Sequence, residues 1–376
     1  MKSPYHVPCP LGLQEVLAEE LRDLGAKDVS VRPGAVDFSG SREVAYRACL
    51  WVRSGIRVQE GLLKGEVARQ EDLYRLVRGF PWERLISVDQ TLSVRATGQH
   101  SAFNDLRYPA LVVKDAVVDR FRELERRRPS VDRRVPDLPL RVHLGERTTR
   151  IYRDLAGSSL HKRGWRPVQV KSPLNEALAA GLLLLSGWDR ASTLLDPMCG
   201  SGTFVVEAAM IASERAPGLG RGFACERWRD YDRGLMERLR SEARARAKPT
   251  LPFTLYGSDR HSGALQLAAD GARAARVHKF VHFDRADVRA FEPAEPPSVV
   301  MVNPPYGQRL GEGEDLVESW RELGRLLRER CPGATAYVLS GEPELTRHLG
   351  MKASRRYPVM NGPISCRLLR YEINEP

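Results

Sequence analysis

The sequence predicts an α/β protein: a doubly wound, mostly parallel sheet in the C-terminal part, preceded by smaller α+β units. Three observations predict it. From about residue 170, apolar runs of strand length alternate with runs of helical periodicity. Polar residues and glycines stand directly after several of those strand-like runs, where open α/β sheets hold their ligands. Before residue 160 the pattern differs, with two clusters of helix and hairpin signals and no small-molecule motif.

Taken in order, residues 10–25 place Leu13, Val16, Leu17, Ala18, Leu21 and Leu24 near helical spacing, and Gly25 stops the run. VSVRPGAVDFSG alternates around a Pro-Gly turn, as a hairpin does, and Ser41 caps a second helix. In residues 61–155, EDLYRLVRGFPWERL reads as a helix broken at Pro81 and TLSVRATGQ as a strand. YPALVVKDAVVDRFRELERRR reads as a long helix with a solvated basic end. LPLRVHLGERTTRIYRDLAG reads as two strands joined around Gly145-Glu146. Beyond residue 170 come a helix (LNEALAAGLLLLSGW), a strand (STLLDPM), a helix (GTFVVEAAMIASERA), a Gly/Arg-rich insertion (215–250), then TLYGSDR, SGALQLAADGARAARV, FVHFDRADV, SVVMVNPPYG, SWRELGRLLRERC and ATAYVLSG. The expected units are 1–60, 61–155, a linker 156–170, and 171–376.

Composition narrows the function classes. The 376 residues carry 59 Lys and Arg against 48 Asp and Glu, a formal charge of +11. Such a balance favours a polyanionic partner, although nine lysines against fifty arginines also fit a GC-rich genome. The charge divides evenly, 27 minus 22 (+5) in residues 1–160 and 32 minus 26 (+6) in 161–376. The longest apolar stretch, 178–188, is far short of the ~20 residues a membrane helix needs. No apolar leader opens the chain, so a cytoplasmic location is expected. Cysteines at 9, 49, 199, 225, 331 and 366 form no CxxC pair and no zinc spacing, so free thiols and no metal site are expected.

Four strand ends carry candidate chemistry. Asp196 closes the first, and Pro197-Met198-Cys199-Gly200-Ser201-Gly202-Thr203 turns tightly into a helix whose N-terminus presents free N–H groups. The turn is neither G-x-G-x-x-G nor a P-loop, and an acid ahead of it suits an ammonium group better than a pyrophosphate. Asp259, followed by Arg260, ends the next strand and is placed for ribose hydroxyls. Asp287, followed by Val288, ends the third and is placed for an adenine amino group. The fourth leads into Asn303-Pro304-Pro305-Tyr306. Two prolines stiffen the backbone and remove two donors, which presents the carbonyls of Asn303 and Pro304 to accept from an exocyclic amine. Tyr306 offers a ring for base stacking. In the run 157–166, His161, Lys162, Arg163, Trp165 and Arg166 suit phosphate contact and stacking on RNA.

DPMCGSGT followed by NPPY resembles the class I S-adenosylmethionine-dependent methyltransferases that modify amino nitrogens. The start CPLGLQEVLAEEL, the run YRDLAGSSLHKRGWR (152–166), APGLGRGF (216–223) and NPPYGQRLG (303–311) resemble more narrowly the THUMP-containing, RlmL-like 23S rRNA guanine-N2 methyltransferases. The resemblance implies a ferredoxin-like unit at 1–60, a THUMP RNA-binding domain at 61–155, and a Rossmann-like catalytic domain at 171–376. It implies S-adenosylmethionine as cofactor, with Ser172-Pro173-Leu174 capping the methionine end and Asn303 also touching the cofactor. The implied partner is 23S rRNA or a large-subunit assembly intermediate, and a monomer is expected. Relatives carry an acidic-hydrophobic pair after the ribose-binding acid; Arg260-His261 departs from that. Long relatives have a second methyltransferase domain, and the chain stops short of one, so the N2-guanine activity alone is implied. Two alternatives stay open: a tRNA guanine-N2 methyltransferase, and a non-catalytic RNA-binding or ribosome assembly factor.

Overall fold

The computed structural model describes residues 2–166, 174–306 and 316–375. The first half alternates β1 (Ser3–Pro8), α1 (Gln14–Asp23), β2 (Lys27–Arg32), β3 (Ala35–Gly40), α2 (Arg42–Trp51) and β4 (Gln59–Glu66). It continues with α3 (Gln70–Arg78), β5 (Thr91–Gly98), α4 (Arg107–Glu125), β6 (Ser130–Val131), β7 (Leu138–Leu144) and β8 (Thr148–Asp154). Ser41 caps α2 as expected, its hydroxyl accepting from the Val44 N–H at 3.4 Å. All eight strands join one sheet in the order β2-β3-β1-β4-β8-β7-β5-β6. The boundary drawn at residue 60 therefore falls inside β4, which pairs with β1 at Tyr5 and His6 and with β8 along its length. The sequence gives no sign of β1, because Pro4 and Pro8 argue against a central strand. The fold accommodates them by restricting the β1–β4 pairing to Tyr5 and His6, which lie between the two prolines.

The second half runs α5 (Glu176–Leu185), β9 (Leu194–Asp196), α6 (Thr203–Ala212), α7 (Arg233–Arg246), β10 (Leu255–Asp259), α8 (Ser262–Ala274), β11 (Val281–Arg285) and β12 (Val299–Val302). It ends with α9 (Leu316–Arg330), β13 (Thr335–Ser340), α10 (Pro343–Thr346), β14 (Arg355–Asn361) and β15 (Ile364–Glu372). The sheet order is β11-β10-β9-β12-β13-β15-β14. Strands β9 to β13 are parallel, and the β14–β15 hairpin adds antiparallel to β13. The order reverses between β9 and β12, so their carboxyl ends flank the crevice where ligands bind in such sheets. The β14–β15 hairpin is not among the elements expected from sequence. Asn361-Gly362 at its turn, with Gly362 at φ +60°, was the available signal.

The two halves are packed into each other. Leu13, just ahead of α1, and Val16 of α1 belong to the core of the second sheet. Leu13 lies so close to α5 that a Cβ on Gly181 would come within 2.3 Å of it. In return, the 215–250 insertion, read in sequence only as Gly/Arg-rich, sends Phe223, Cys225, Trp228, Met236 and Leu239 into the core of the first. Arg153 of β8 pairs with Glu60 and with Asp230 of the insertion, its guanidinium 4.2 Å over the Trp228 ring. Among the described residues, no helix is long and apolar enough to cross a membrane. No group of three or more His, Cys, Asp or Glu among them is placed to hold a metal ion.

Candidate active site

The crevice between β9 and β12 brings together the first, second and fourth of the strand ends picked out by sequence. Asp196, the last residue of β9, is 2% exposed. Burial pushes its carboxyl well above the usual range and the Met198 N–H, 3.2 Å away, only partly counters this; the charge of Asp259 adds to the rise. Asp259, the last residue of β10, closes onto the glycine loop. Its Oδ2 accepts from the Gly200 N–H at 2.9 Å and its Oδ1 from the His261 N–H at 2.9 Å. Each carboxylate oxygen retains a lone pair for a further donor. The loop itself is tied down by Cys199 N–H to Ser258 O (2.8 Å) and Ser258 Oγ to Pro197 O (3.2 Å).

Two glycines of the loop are required for different reasons. Gly202 sits at φ +73° and a Cβ there would lie 2.8 Å from that of Ala268. Gly200, at φ +53°, has nothing within 4 Å of a would-be Cβ, so a ligand can approach its backbone. Cys199 is buried, and burial followed by Asp196 and Asp259 pushes its thiol well up, so it is a packed thiol and no nucleophile. Met198 and Ser201 are half-buried, and Thr203 is buried as the first residue of α6.

Asp287 lies beyond the end of β11 rather than on it. Burial works to raise its carboxyl, but hydrogen bonds from the Arg289 N–H (3.0 Å) and Nε (3.1 Å) prevail and hold it below the usual range. Val288 beside it is buried, and the Arg260 guanidinium reaches His261 Nε2 at 3.1 Å. Leu174 is buried just ahead of α5, while Ser172 and Pro173 lie outside the described residues.

The NPPY loop leaves β12 with its acceptors in hand. Asn303 Oδ1 is buried without a hydrogen-bond partner, a state that costs free energy unless a ligand supplies a donor. The Pro305 carbonyl accepts from Trp320 Nε1 at 2.8 Å, which fixes the second proline. Tyr306 departs from the expectation of an open stacking face. Its ring is 6% exposed and its hydroxyl accepts from Asn361 Nδ2 at 2.9 Å, so the side chain anchors the loop to β14. Trp320 and Asn361 were missed in sequence. Each acts through a contact between residues 15 and 55 positions apart, which no local pattern encodes.

The run 157–166 also departs from expectation. Arg163 is 3% exposed and donates to Leu160 O, Arg53 O and Glu207. Trp165 is 3% exposed and packs on Gly271 of α8. Burial pushes His161 down to about 4, with the charges of Arg163 and Lys162 adding to the fall, so it is neutral near pH 7. Arg166 donates to Thr203 Oγ1 at 2.7 Å. Lys162 alone of the five is exposed. Interior packing claims these side chains because the run threads between the two halves of the protein.

A family model described as the RMKL-like methyltransferase domain matches residues 163–370. The RlmL ferredoxin-like domain matches residues 5–59 and the THUMP domain residues 67–154. This chain belongs to the RMKL-like methyltransferases. A Synechocystis protein named as a putative RNA methyltransferase is 37% identical to this methyltransferase over 98% of the chain and 97% of that protein. The ribosomal RNA large subunit methyltransferase K/L of Syntrophotalea carbinolica is 41% identical over 99% of this chain and 54% of that protein. The chain thus spans about half the length of that K/L relative. Among solved structures, a putative methyltransferase complexed with SAH is 26% identical with a TM-score of 0.89, covering 100% of this chain and 99% of that one. A possible methylase from Clostridium difficile is 27% identical with a TM-score of 0.91, covering 100% and 99%.

Proposed function

We propose that this methyltransferase transfers a methyl group from S-adenosylmethionine to the N2 amine of a guanine in 23S rRNA. The observation that carries the reading is Asn303 Oδ1, a buried acceptor without a partner at the end of β12. The name of the K/L relatives supports a ribosomal RNA substrate, and the THUMP match supports RNA binding.

The donor set fits the cofactor. Asp196 is an acid whose ionisation is held back by burial and by the charge of Asp259, and an ammonium group would offset both. The open side of Gly200 admits a ligand against backbone, and Asp259 retains acceptor capacity for ribose hydroxyls. Asp287 and Val288 are assigned the adenine side, with Asp287 shared with Arg289. When bound, S-adenosylmethionine supplies the electrophilic methyl group.

The chain's own part is positioning. A guanine N2 lone pair is delocalised into the ring and is a weak nucleophile. Asn303 Oδ1 and the Pro304 carbonyl accept from the amine and aim its nitrogen. Their dipoles, fixed in advance, offset positive charge as it develops there. No base is needed before attack, since the proton leaves afterwards. Unstacking the target base costs a few kcal/mol, less in a single-stranded segment. Nucleoside mass spectrometry of 23S rRNA and tRNA from a deletion strain tests the reading. Loss of N2-methylguanosine from one site in 23S rRNA is expected. Loss from tRNA alone, or loss of N6-methyladenosine in its place, overturns the substrate assignment.

A further inference from the structure

Arg166 ends the run 157–166, yet its surroundings are those of a ligand-binding arginine. Its side chain is 13% exposed. Nη2 donates to the hydroxyl of Thr203, the first residue of α6, at 2.7 Å. Nε lies 3.3 Å from Oε1 of Glu176, the first residue of α5, but its N–H is not aligned on that oxygen and is buried without a hydrogen-bond partner. The guanidinium carbon lies 5.1 Å from the centre of the Trp165 ring. That ring is in turn seated against Gly271, where a Cβ would come within 3.0 Å of it.

The guanidinium thus touches the first residues of the two helices on either side of the glycine loop. Each helix N-terminus carries a partial positive charge. Of the two carboxylates that act on this guanidinium, Glu176 lies at contact distance and Glu207 is itself paired with Arg163, so the two helix ends and the cation leave room for a further anion, and the unsatisfied Nε leaves a donor for it. The loop 196–202 runs directly into Thr203, so a ligand lying along it reaches Arg166.

We propose that Arg166 binds the α-carboxylate of the cofactor's methionine part and does not contact RNA. The inference rests on S-adenosylmethionine being the cofactor. It gives the linker a second role. Arg163, three residues earlier, is held by Arg53 O and Leu160 O. The N-terminal half therefore fixes the position of a cofactor ligand.

The test is calorimetry on the full chain with S-adenosylhomocysteine and with its decarboxylated form, which lacks only that carboxylate. The parent is expected to favour S-adenosylhomocysteine. Arg166→Met is expected to weaken S-adenosylhomocysteine roughly ten- to a hundredfold while leaving the decarboxylated ligand unchanged. Arg166→Lys is expected to recover part of the difference. Equal weakening of both ligands, or of neither, overturns the assignment. Should Arg166→Met fail to fold, the ratio of the two affinities in Arg166→Lys and Arg166→Gln decides in the same way. A parent that binds neither ligand overturns the cofactor reading instead.

Discussion

In the loop after β12, Asn303 keeps a buried acceptor without a partner, and in the loop after β9 the open face of Gly200 meets no side chain. In the run 157–166, Arg163 directs its donors to Leu160 O, Arg53 O and Glu207. Both regions are short, polar and glycine-containing, and the sequence marked both as ligand contacts. The difference teaches that a residue's chemistry nominates it for a site, and the unfilled hydrogen-bonding capacity left after folding selects it. The protein itself fills the donors of Arg163, because the segment crosses a buried junction where a charged group needs partners.

The largest expected effect tests the interior role of the linker. Arg163 and Glu207 are 1% and 0% exposed in their side chains. Arg163→Met is expected to lower unfolding free energy by about 3–5 kcal/mol, because it strands the Glu207 carboxylate. Urea denaturation measures this, and Arg163→Met combined with Glu207→Leu is expected to recover most of it. A loss of RNA affinity with stability intact would restore the RNA-contact reading.

Next comes the active-site side of the comparison. Asn303→Ala is expected to reduce methyl transfer by roughly 10²–10³-fold. Affinity for S-adenosylhomocysteine is expected to change little, as measured by calorimetry. Turnover at the parent rate would remove Asn303 from its proposed role.

Asp196 gives a pH-dependent test. Its folded-state carboxyl titrates above the ordinary value near 4, so the folded protein holds the proton more tightly. The stability this brings is complete below about pH 4 and is lost as pH rises through the raised folded value. Asp196→Asn removes that loss. The variant is therefore expected to gain stability relative to the parent between pH 5 and pH 8, and to bind S-adenosylhomocysteine roughly tenfold or more weakly. Denaturation midpoints across that range check the first part; a constant difference between variant and parent would contradict it.

The smallest effect concerns Lys162, the exposed residue of the linker run. Lys162→Ala is expected to change stability by under about 0.5 kcal/mol. If it meets a phosphate, it lowers the slope of RNA affinity against salt by about one ion. An unchanged slope would leave the run 157–166 with no RNA contact among its cations.

Much of the fold was legible because it depends on local periodicity. The alternation from residue 170 gave the parallel strands, and the residues after them marked four strand ends, three of which meet at the crevice. The β14–β15 hairpin was also written locally, in Asn361-Gly362, and was overlooked. β1 was not legible, since its prolines are tolerated only because of which residues β4 pairs with. Nor was the continuous eight-stranded sheet, which needs β4 and β8 to meet across almost a hundred residues.

By itself the sequence determined the order of elements, the loop chemistry at β9, β10 and β12, and the resemblance to a methyltransferase family. These follow from spacing along the chain and from residue type. Only the tertiary structure decided which polar groups remain available. It buried Arg163 and Trp165, tied Tyr306 to Asn361, left Asn303 unpartnered and carried Arg166 to the first turn of α6. Satisfaction of hydrogen bonds is settled by neighbours in space, and those neighbours come from segments far apart in the chain.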